Sequence, residues 1–447
     1  MKSREKVLVG MLAAASCATV FAATPQVTSV TMSQPSSGRQ VNIDYTFTGA
    51  DAVITLDVQT NATGGAWVSI GGEAVCNAKG AVWKRVTNDG STHHITWRPD
   101  YSWPDHVVAD GGARAVITAW TLDNTPDYMV VDLSSTGGAG TEKYYPAVDF
   151  LPGSVPGQKG AITNNVAYKT SLLVMRKIMA SGVEWIMGSV NEGGRRTNEN
   201  THNVTLTNNY YIGVFEVTQT QWMQIWPEWL GDNNRGFGIK GAYLPVNKVC
   251  YNEIRNSGNT TEDPANNWPN PPSGSSFLGR LNNRTGLVFD LPSDAQWEFA
   301  ARAGTGDNHW NDGSEMLLVT GVNTTNDVNL AECACYKYNQ PNGNSPTDVG
   351  IFRPNAWGLY DMHGNISEAC LDWYQGTITS YNGVLNINPA NPAQYVSGSG
   401  TPTERISRGG GYSSSATDCR SARRVNIDPS SRGNGTGLRL YCTAGLK

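Results

Sequence analysis

Between Thr24 and about Asp149 apolar and polar residues alternate in short runs, such as Val41-Asn42-Ile43-Asp44-Tyr45-Thr46-Phe47 and Ala115-Val116-Ile117-Thr118-Ala119-Trp120. A period of two puts every second side chain on one face, so these runs predict half-buried antiparallel strands. Glycine- and Asn/Asp-containing turns separate them, which predicts a β-sandwich of immunoglobulin-like or fibronectin-like type over residues 24–149. The Gly- and Pro-bearing stretch from Pro146 to Gly160 then predicts a linker over 150–170. Further on, Asp294–Arg302 has helical spacing: Ser293 is the expected N-cap, Trp297, Ala300 and Ala301 share a face, and Gly304 is the expected stop.

Composition adds to this pattern. The 447 residues are enough for two or three domains, and 49 glycines, 14 tryptophans and 18 tyrosines predict mostly strands and loops with aromatic anchors and few long helices. The formal net charge of -5 argues against nucleic acid as a partner, because that binding needs a basic face to displace counterions. Residues 1–22 read as an export signal: Lys2, Arg4 and Lys6, an apolar run from Val7 to Ala15, then Val20-Phe21-Ala22 before Ala23. The expected location is therefore periplasmic, cell-surface or secreted. The apolar run is shorter than the roughly 20 residues of a membrane span, and no later stretch is long enough. Ala14-Ala15-Ser16-Cys17 is a weak match to a lipid-attachment box, with leucine missing from its usual place.

Beyond the signal stand Cys76, Cys250, Cys333, Cys335, Cys370, Cys419 and Cys442, several of which are expected to pair in an oxidising compartment. No metal-ligand spacing such as CxxC or HExxH occurs, so zinc is not expected. His93 and His94 point to opposite faces of a strand and read as surface polar residues. Trp97 and Trp103, each near a proline, suit either core packing or a sugar-stacking platform.

After residue 171 a series of short signatures appears in order. They are Ile186-Met187-Gly188-Ser189, Val204-Thr205-Leu206, Tyr211 to Gln219, Leu244-Pro245-Val246 and Leu291 to Arg302. Asn355 to Asn365, Arg408-Gly409-Gly410, Cys419-Arg420-Ser421-Ala422-Arg423 and Gly437-Leu438-Arg439 follow. Over roughly 171–442 this series resembles the formylglycine-generating enzyme, or sulfatase-modifying factor, family. The resemblance implies a compact C-type-lectin-like domain over 171–447 with little regular secondary structure. With the sandwich before it, the expected fold class is α+β.

The resemblance also implies structural calcium, with Asp361, the Gly364 and Ile366 carbonyls and Glu368 as ligands. Calcium takes six to eight hard oxygens, and a glycine lets the chain turn back on the ion. The alternative is a carboxylate pair bonded to the loop backbone. A second family site would begin at Asn329 and the Leu330 carbonyl. The family's oxidase captures copper(I) on two thiolates just after Arg-Gly-Gly; here that segment, Gly411 to Asp418, has no cysteine, and serine is a poor copper(I) ligand. No catalytic residue can be assigned, and copper is not expected.

From the same resemblance come two expected disulfides, Cys370–Cys419 and Cys250–Cys442, with Cys333 and Cys335 pairing locally or staying reduced. The expected function is a calcium-stabilised binding or accessory protein. Its ligand, an unknown protein or carbohydrate, would meet Tyr412, Ser413, Ser414, Ser415, Thr417, Asp418, Asn426 and Asp428. A formylglycine-generating oxidase, or a non-copper enzyme on the same scaffold, is the alternative, and an ordinary polar surface loop is the other reading of that segment.

Overall fold

The computed structural model describes residues 23–443 apart from 62–64, 136–137, 139, 154–160, 191–193, 232–234, 306–309, 312–314, 317–326, 342–343 and 375–402. The expected export signal with Cys17, and residues 154–160 of the expected linker, lie outside the described residues. Strands outnumber helices. Among the described residues no helix is long and apolar enough to cross a membrane.

Two antiparallel sheets form the N-terminal part. One has the order Gln26–Ser33, Val41–Thr48, His93–Trp97 and Lys79–Gly80; the other has Val68–Ser69, Ala52–Thr60 and Lys84–Val86, with Ala113–Trp120 also paired to Ala52–Thr60. The predicted alternation is present: Val41, Ile43, Tyr45 and Phe47 are buried and pack in one core with Ile54, Leu56, Ile95 and Ile117. His94 lies exposed, 2.7 Å from Asp44 Oδ1, whereas the ring of His93 rests against Tyr45 and Phe47. His93 is therefore half-buried, not a surface residue. Trp97 and Trp103 serve the core: Trp97 Nε1 donates to the Ala74 carbonyl at 2.7 Å, and Trp103 stacks on Trp97 and, at 4.0 Å, on His106.

Tyr128–Asp132 and Glu142–Tyr145, expected within the sandwich, join a different sheet. Its order is Glu142–Tyr145, Tyr128–Asp132, Leu172–Ile178, Tyr210–Gly213, Tyr441–Thr443, Phe289–Asp290, antiparallel throughout. This sheet is a wall between two cores. Met129, Val131, Leu173 and Met175 face the C-terminal core, while Tyr128, Val130 and Val174 face the N-terminal one. A strand buried on both sides reads as the continuous run Tyr128-Met129-Val130-Val131, not as alternation, which is why periodicity did not separate it from the sandwich. The expected linker packs as well: Leu151 is fully buried, and Phe150 stands over Trp83 and Gly72, where a Cβ would lie 2.4 Å from the Phe150 ring.

Within the C-terminal part, Ser367–Trp373 pairs antiparallel with Arg405–Arg408 and parallel with Thr436–Gly437, and Arg405–Arg408 continues to Val425–Ile427. The helix Asp294–Arg302 has its expected bounds and cap: Ser293 Oγ accepts from Gln296 N–H at 3.2 Å, and Gln296 bonds back to the Ser293 N–H at 2.8 Å. The left-handed stop is Ala303 (φ 43°), one residue before Gly304 (φ 89°). All nine helical residues are buried, charged ones included.

Candidate functional site

The segment 361–368 is buried except for the half-buried Ser367. It bends through positive φ at Asp361 (57°), Gly364 (81°) and Asn365 (59°). A Cβ on Gly364 would lie 2.1 Å from the Cys335 carbonyl oxygen, which accepts from Asn365 N–H at 2.7 Å. The glycine thus serves a close backbone approach to the Ala334–Cys335 strand.

Glu368 is committed elsewhere. Its Oε1 accepts from Arg439 Nη2 at 2.7 Å and Nε at 3.0 Å, and its Oε2 from Trp297 Nε1 at 2.6 Å. Arg439 spends its remaining donors on the carbonyls of Gly213, Val214 and Tyr360 at 2.9, 3.0 and 2.7 Å. Asp361 Oδ2 accepts from Gly350 N–H at 2.7 Å, while its buried Oδ1 has no hydrogen-bond partner. Burial pushes the Asp361 carboxyl up to about 6.

The lone pairs of Glu368 are thus occupied by an internal cation, Arg439, and by the Trp297 indole. Asn329 and Leu330, the expected start of a second site, open the short Leu330–Cys333 helix. Both their N–H groups donate to Asp327 Oδ1 at 3.1 Å, and their carbonyls accept from the Cys333 thiol, as at the first turn of a helix.

The residue missing from the sequence reading is Glu216. It is fully buried, accepts from Asn365 Nδ2 at 2.6 Å and from Ile366 N–H at 3.0 Å, and is pushed well above the usual carboxylate range by burial and by Asp361 and Glu368. Its signal was present: Glu216 is the only acid in the apolar run Tyr211 to Val217.

Around this loop the family signatures meet through buried ion pairs. Arg408 binds Asp294 and, at 3.0 Å, Glu298; Arg302 reaches Glu298 at 2.8 Å, and Arg424 reaches Asp294 at 2.8 Å. Burial raises Asp294 and Glu298, but the arginines (Arg408 and Arg424 for Asp294, Arg302 and Arg408 for Glu298) more than offset it, so both carboxyls lie below their usual range. Asp372, whose Oδ2 accepts from Asp294 N–H at 2.6 Å, is pushed up to about 7 by burial and then by Asp294. Arg420 grips Glu199 with two bonds, at 2.7 and 3.1 Å.

The eight residues expected to face a ligand divide by depth. Ser413, Asn426 and Asp428 are exposed, and Ser414, Ser415 and Asp418 are half-buried. Tyr412 and Thr417 are buried: Tyr412 packs with Cys335 and Ile366, and Thr417 lies beside Gly194. Asp418 accepts from Ser415 Oγ at 2.7 Å and Arg423 Nε at 2.9 Å. An aromatic ring among small polar residues was drawn into the core, leaving a narrower polar surface.

No disulfide joins any of the seven described cysteines, against the two expected. Cys250 opens the Tyr251–Ile254 turn, and its thiol faces Glu253 Oε2 at 3.6 Å and the Asn259 carbonyl at 3.8 Å. Cys442 sits in the central sheet opposite Tyr211 and Phe289. Cys370 packs in a cluster with Trp297 and Ile406, whereas Cys419 packs with Leu330 and Cys333.

The family model for the sulfatase-modifying factor enzyme 1-like domain matches residues 175–444. The chain is 29% identical over 279 residues to a chaperone protein LppX of Paenibacillus barcinonensis, covering 56% of this chain and 86% of that protein. It is 31% identical over 172 residues to the formylglycine-generating enzyme of Streptomyces coelicolor, covering 35% of this chain and 47% of the enzyme. A serine/threonine-protein kinase pkn1 of Chlamydia pneumoniae is 25% identical over 325 residues, 72% of this chain and 47% of the kinase. The chain thus spans about half the length of these last two relatives. Among solved structures, Treponema denticola variable protein 1 aligns at a TM-score of 0.43 with 25% identity, covering 61% of this chain and 95% of that one.

Proposed function

Because the chain belongs to the sulfatase-modifying factor enzyme 1-like domain family, we infer that it uses that scaffold as an exported binding or accessory protein and not as a copper oxidase. The observation that carries this reading is the segment 411–418, where the family resemblance places the two copper thiolates and this chain has only hydroxyl, aromatic, small and acidic side chains. The next thiol, Cys419, is fully buried and pushed well above its ordinary range by burial, which disfavours the thiolate that copper(I) needs. The exposed Ser413, Asn426 and Asp428 suit hydrogen bonding to a protein or carbohydrate ligand. A relative described as a chaperone, matched over most of its length, supports an accessory role. In this reading Arg439 supplies the positive charge expected of calcium, residues 1–22 direct export, and the N-terminal sheets are an immunoglobulin-like or fibronectin-like module.

The runner-up is a formylglycine-generating oxidase, favoured by the identity to the Streptomyces enzyme. One experiment separates the two readings. The purified chain, loaded with copper(I) in air, is incubated with a sulfatase peptide carrying the target cysteine, and the peptide mass is followed. The expected outcome is an unchanged cysteine under conditions where a formylglycine-generating enzyme converts it. Conversion by this chain overturns the binding reading.

A further inference from the structure

Three thiols approach one another where the segment 330–337 meets the segment 409–419. Cys333 ends the short Leu330–Cys333 helix and Cys419 ends the Ala416–Cys419 turn. With Leu330, Ala334, Tyr336 and Ala416 they make up one small buried cluster, apolar apart from these thiols and the Tyr336 hydroxyl. A hydrogen bond from Lys337 N–H to the Ser414 carbonyl, 3.0 Å long, holds the two segments together beside it. Cys335, two residues along an extended strand, belongs to a different cluster with Ile366 and Tyr412, and its thiol faces the Ser345 carbonyl at 3.8 Å. Cys370 lies in a third cluster. Cys333 is therefore the cysteine that shares the buried cluster of Cys419, while Cys335, in the neighbouring cluster, also acts on Cys419 electrostatically.

We propose that Cys333 and Cys419 are a redox pair that closes a disulfide on oxidation and ties the polar segment after Arg408-Gly409-Gly410 to the 330–337 segment. The oxidant is a disulfide compound. The Cys333 thiolate, at the more accessible of the two sulfurs (3% exposed against 0%), attacks one sulfur of that compound and expels a thiolate. Cys419 then gives up its proton as it attacks Cys333 Sγ in the mixed disulfide, and expels the second thiolate. The two protons lost by the cysteines end on the two thiols released, so one disulfide is reduced as one is formed. The bond would fix the backbone beneath Ser413 and the half-buried Ser414 and Ser415, whatever the segment binds.

The full chain is refolded from denaturant in reduced and oxidised glutathione, so that burial does not limit access, and its remaining thiols are alkylated before proteolysis and mass spectrometry. The expected product joins the peptide carrying Cys333 and Cys335 to the peptide carrying Cys419, with a mass two hydrogens below their sum. In Cys335→Ala the same link forms, and there it can come only from Cys333; in Cys333→Ala it is lost. Dithiothreitol is expected to lower the melting temperature of the oxidised wild type and of Cys335→Ala alike. Full alkylation of wild type, a Cys370–Cys419 link, or loss of the link in Cys335→Ala with its retention in Cys333→Ala overturns the proposal.

Discussion

In the Ala52–Thr60 strand the backbone runs in register with Ala113–Trp120 from Val53↔Trp120 to Thr60↔Ala113, so its polar groups are met by another strand. Around residue 213 the chain leaves its sheet, and the carbonyls of Gly213 and Val214 are met by the guanidinium of Arg439. The N-terminal sheets accordingly hold a mostly apolar core. In the C-terminal part Arg255, Arg405, Arg408 and Arg439 are among the largest fully buried side chains. Arg255 illustrates the role: it binds Asp290 at 2.8 and 2.9 Å and donates to the carbonyls of Asn266 and Asn270. Loops without strand partners leave buried carbonyls, and arginine, with five donors in a fixed fork, satisfies several at once if a carboxylate balances its charge. Regular structure permits apolar cohesion; irregular structure requires paired charge.

Removing a member of a buried pair is the hardest test of this contrast. Arg439→Met strips Glu368 of its counter-ion and takes a donor from the carbonyls of Gly213, Val214 and Tyr360, and is expected to cost about 3–5 kcal/mol in urea denaturation. A loss below about 1 kcal/mol would show that the arginine only fills space. In the N-terminal core Ile54→Ala, at a fully buried site, is expected to cost about 3 kcal/mol by loss of packing alone, with no change in pH dependence.

The Asp372 carboxyl sharpens the comparison through pH. Its folded value, about 7, lies above the ordinary 3.8, so the folded state holds a proton that the unfolded state releases between about pH 4 and 7. Stability from this group therefore falls as pH rises through that window. Asp372→Asn is expected to flatten that part of the stability profile, and a parallel profile would remove Asp372 as its source. The smallest effects belong to the polar surface and to metal. Asn426→Ala, which removes an exposed bond to Glu404, is expected to change stability by under about 0.5 kcal/mol. Chelators are expected to leave the melting temperature where it was; a fall on chelator addition that calcium reverses would restore the Asp361–Glu368 ligand set.

The helix Asp294–Arg302 shows how far local chemistry reaches. Ser293 and Gln296 form a capping box from residues three apart, so both ends of that helix were readable within a residue. What its charged face does was not readable. Asp294, Glu298 and Arg302 look like a solvated side until Arg408 and Arg424, more than a hundred residues away, close over them. The same distance hid Glu216, whose partners Asn365 and Ile366 lie about 150 residues on. Trp103 was ambiguous for a related reason, since only the fold brings His106 onto its face.

What the sequence alone determined was periodic or ordered along the chain. That includes the alternating strands of the N-terminal sheets, the capped helix, the series of signatures that marks the family, and the lack of thiols between Gly411 and Asp418. Only the tertiary structure decided where Tyr128–Asp132 and Glu142–Tyr145 belong, which cation faces Glu368, and which cysteine accompanies Cys419. The physical reason is range. Side-chain period and capping act over a few residues and leave a local trace, whereas a buried charge or thiol is defined by what desolvates it, and those groups arrive from anywhere in the chain.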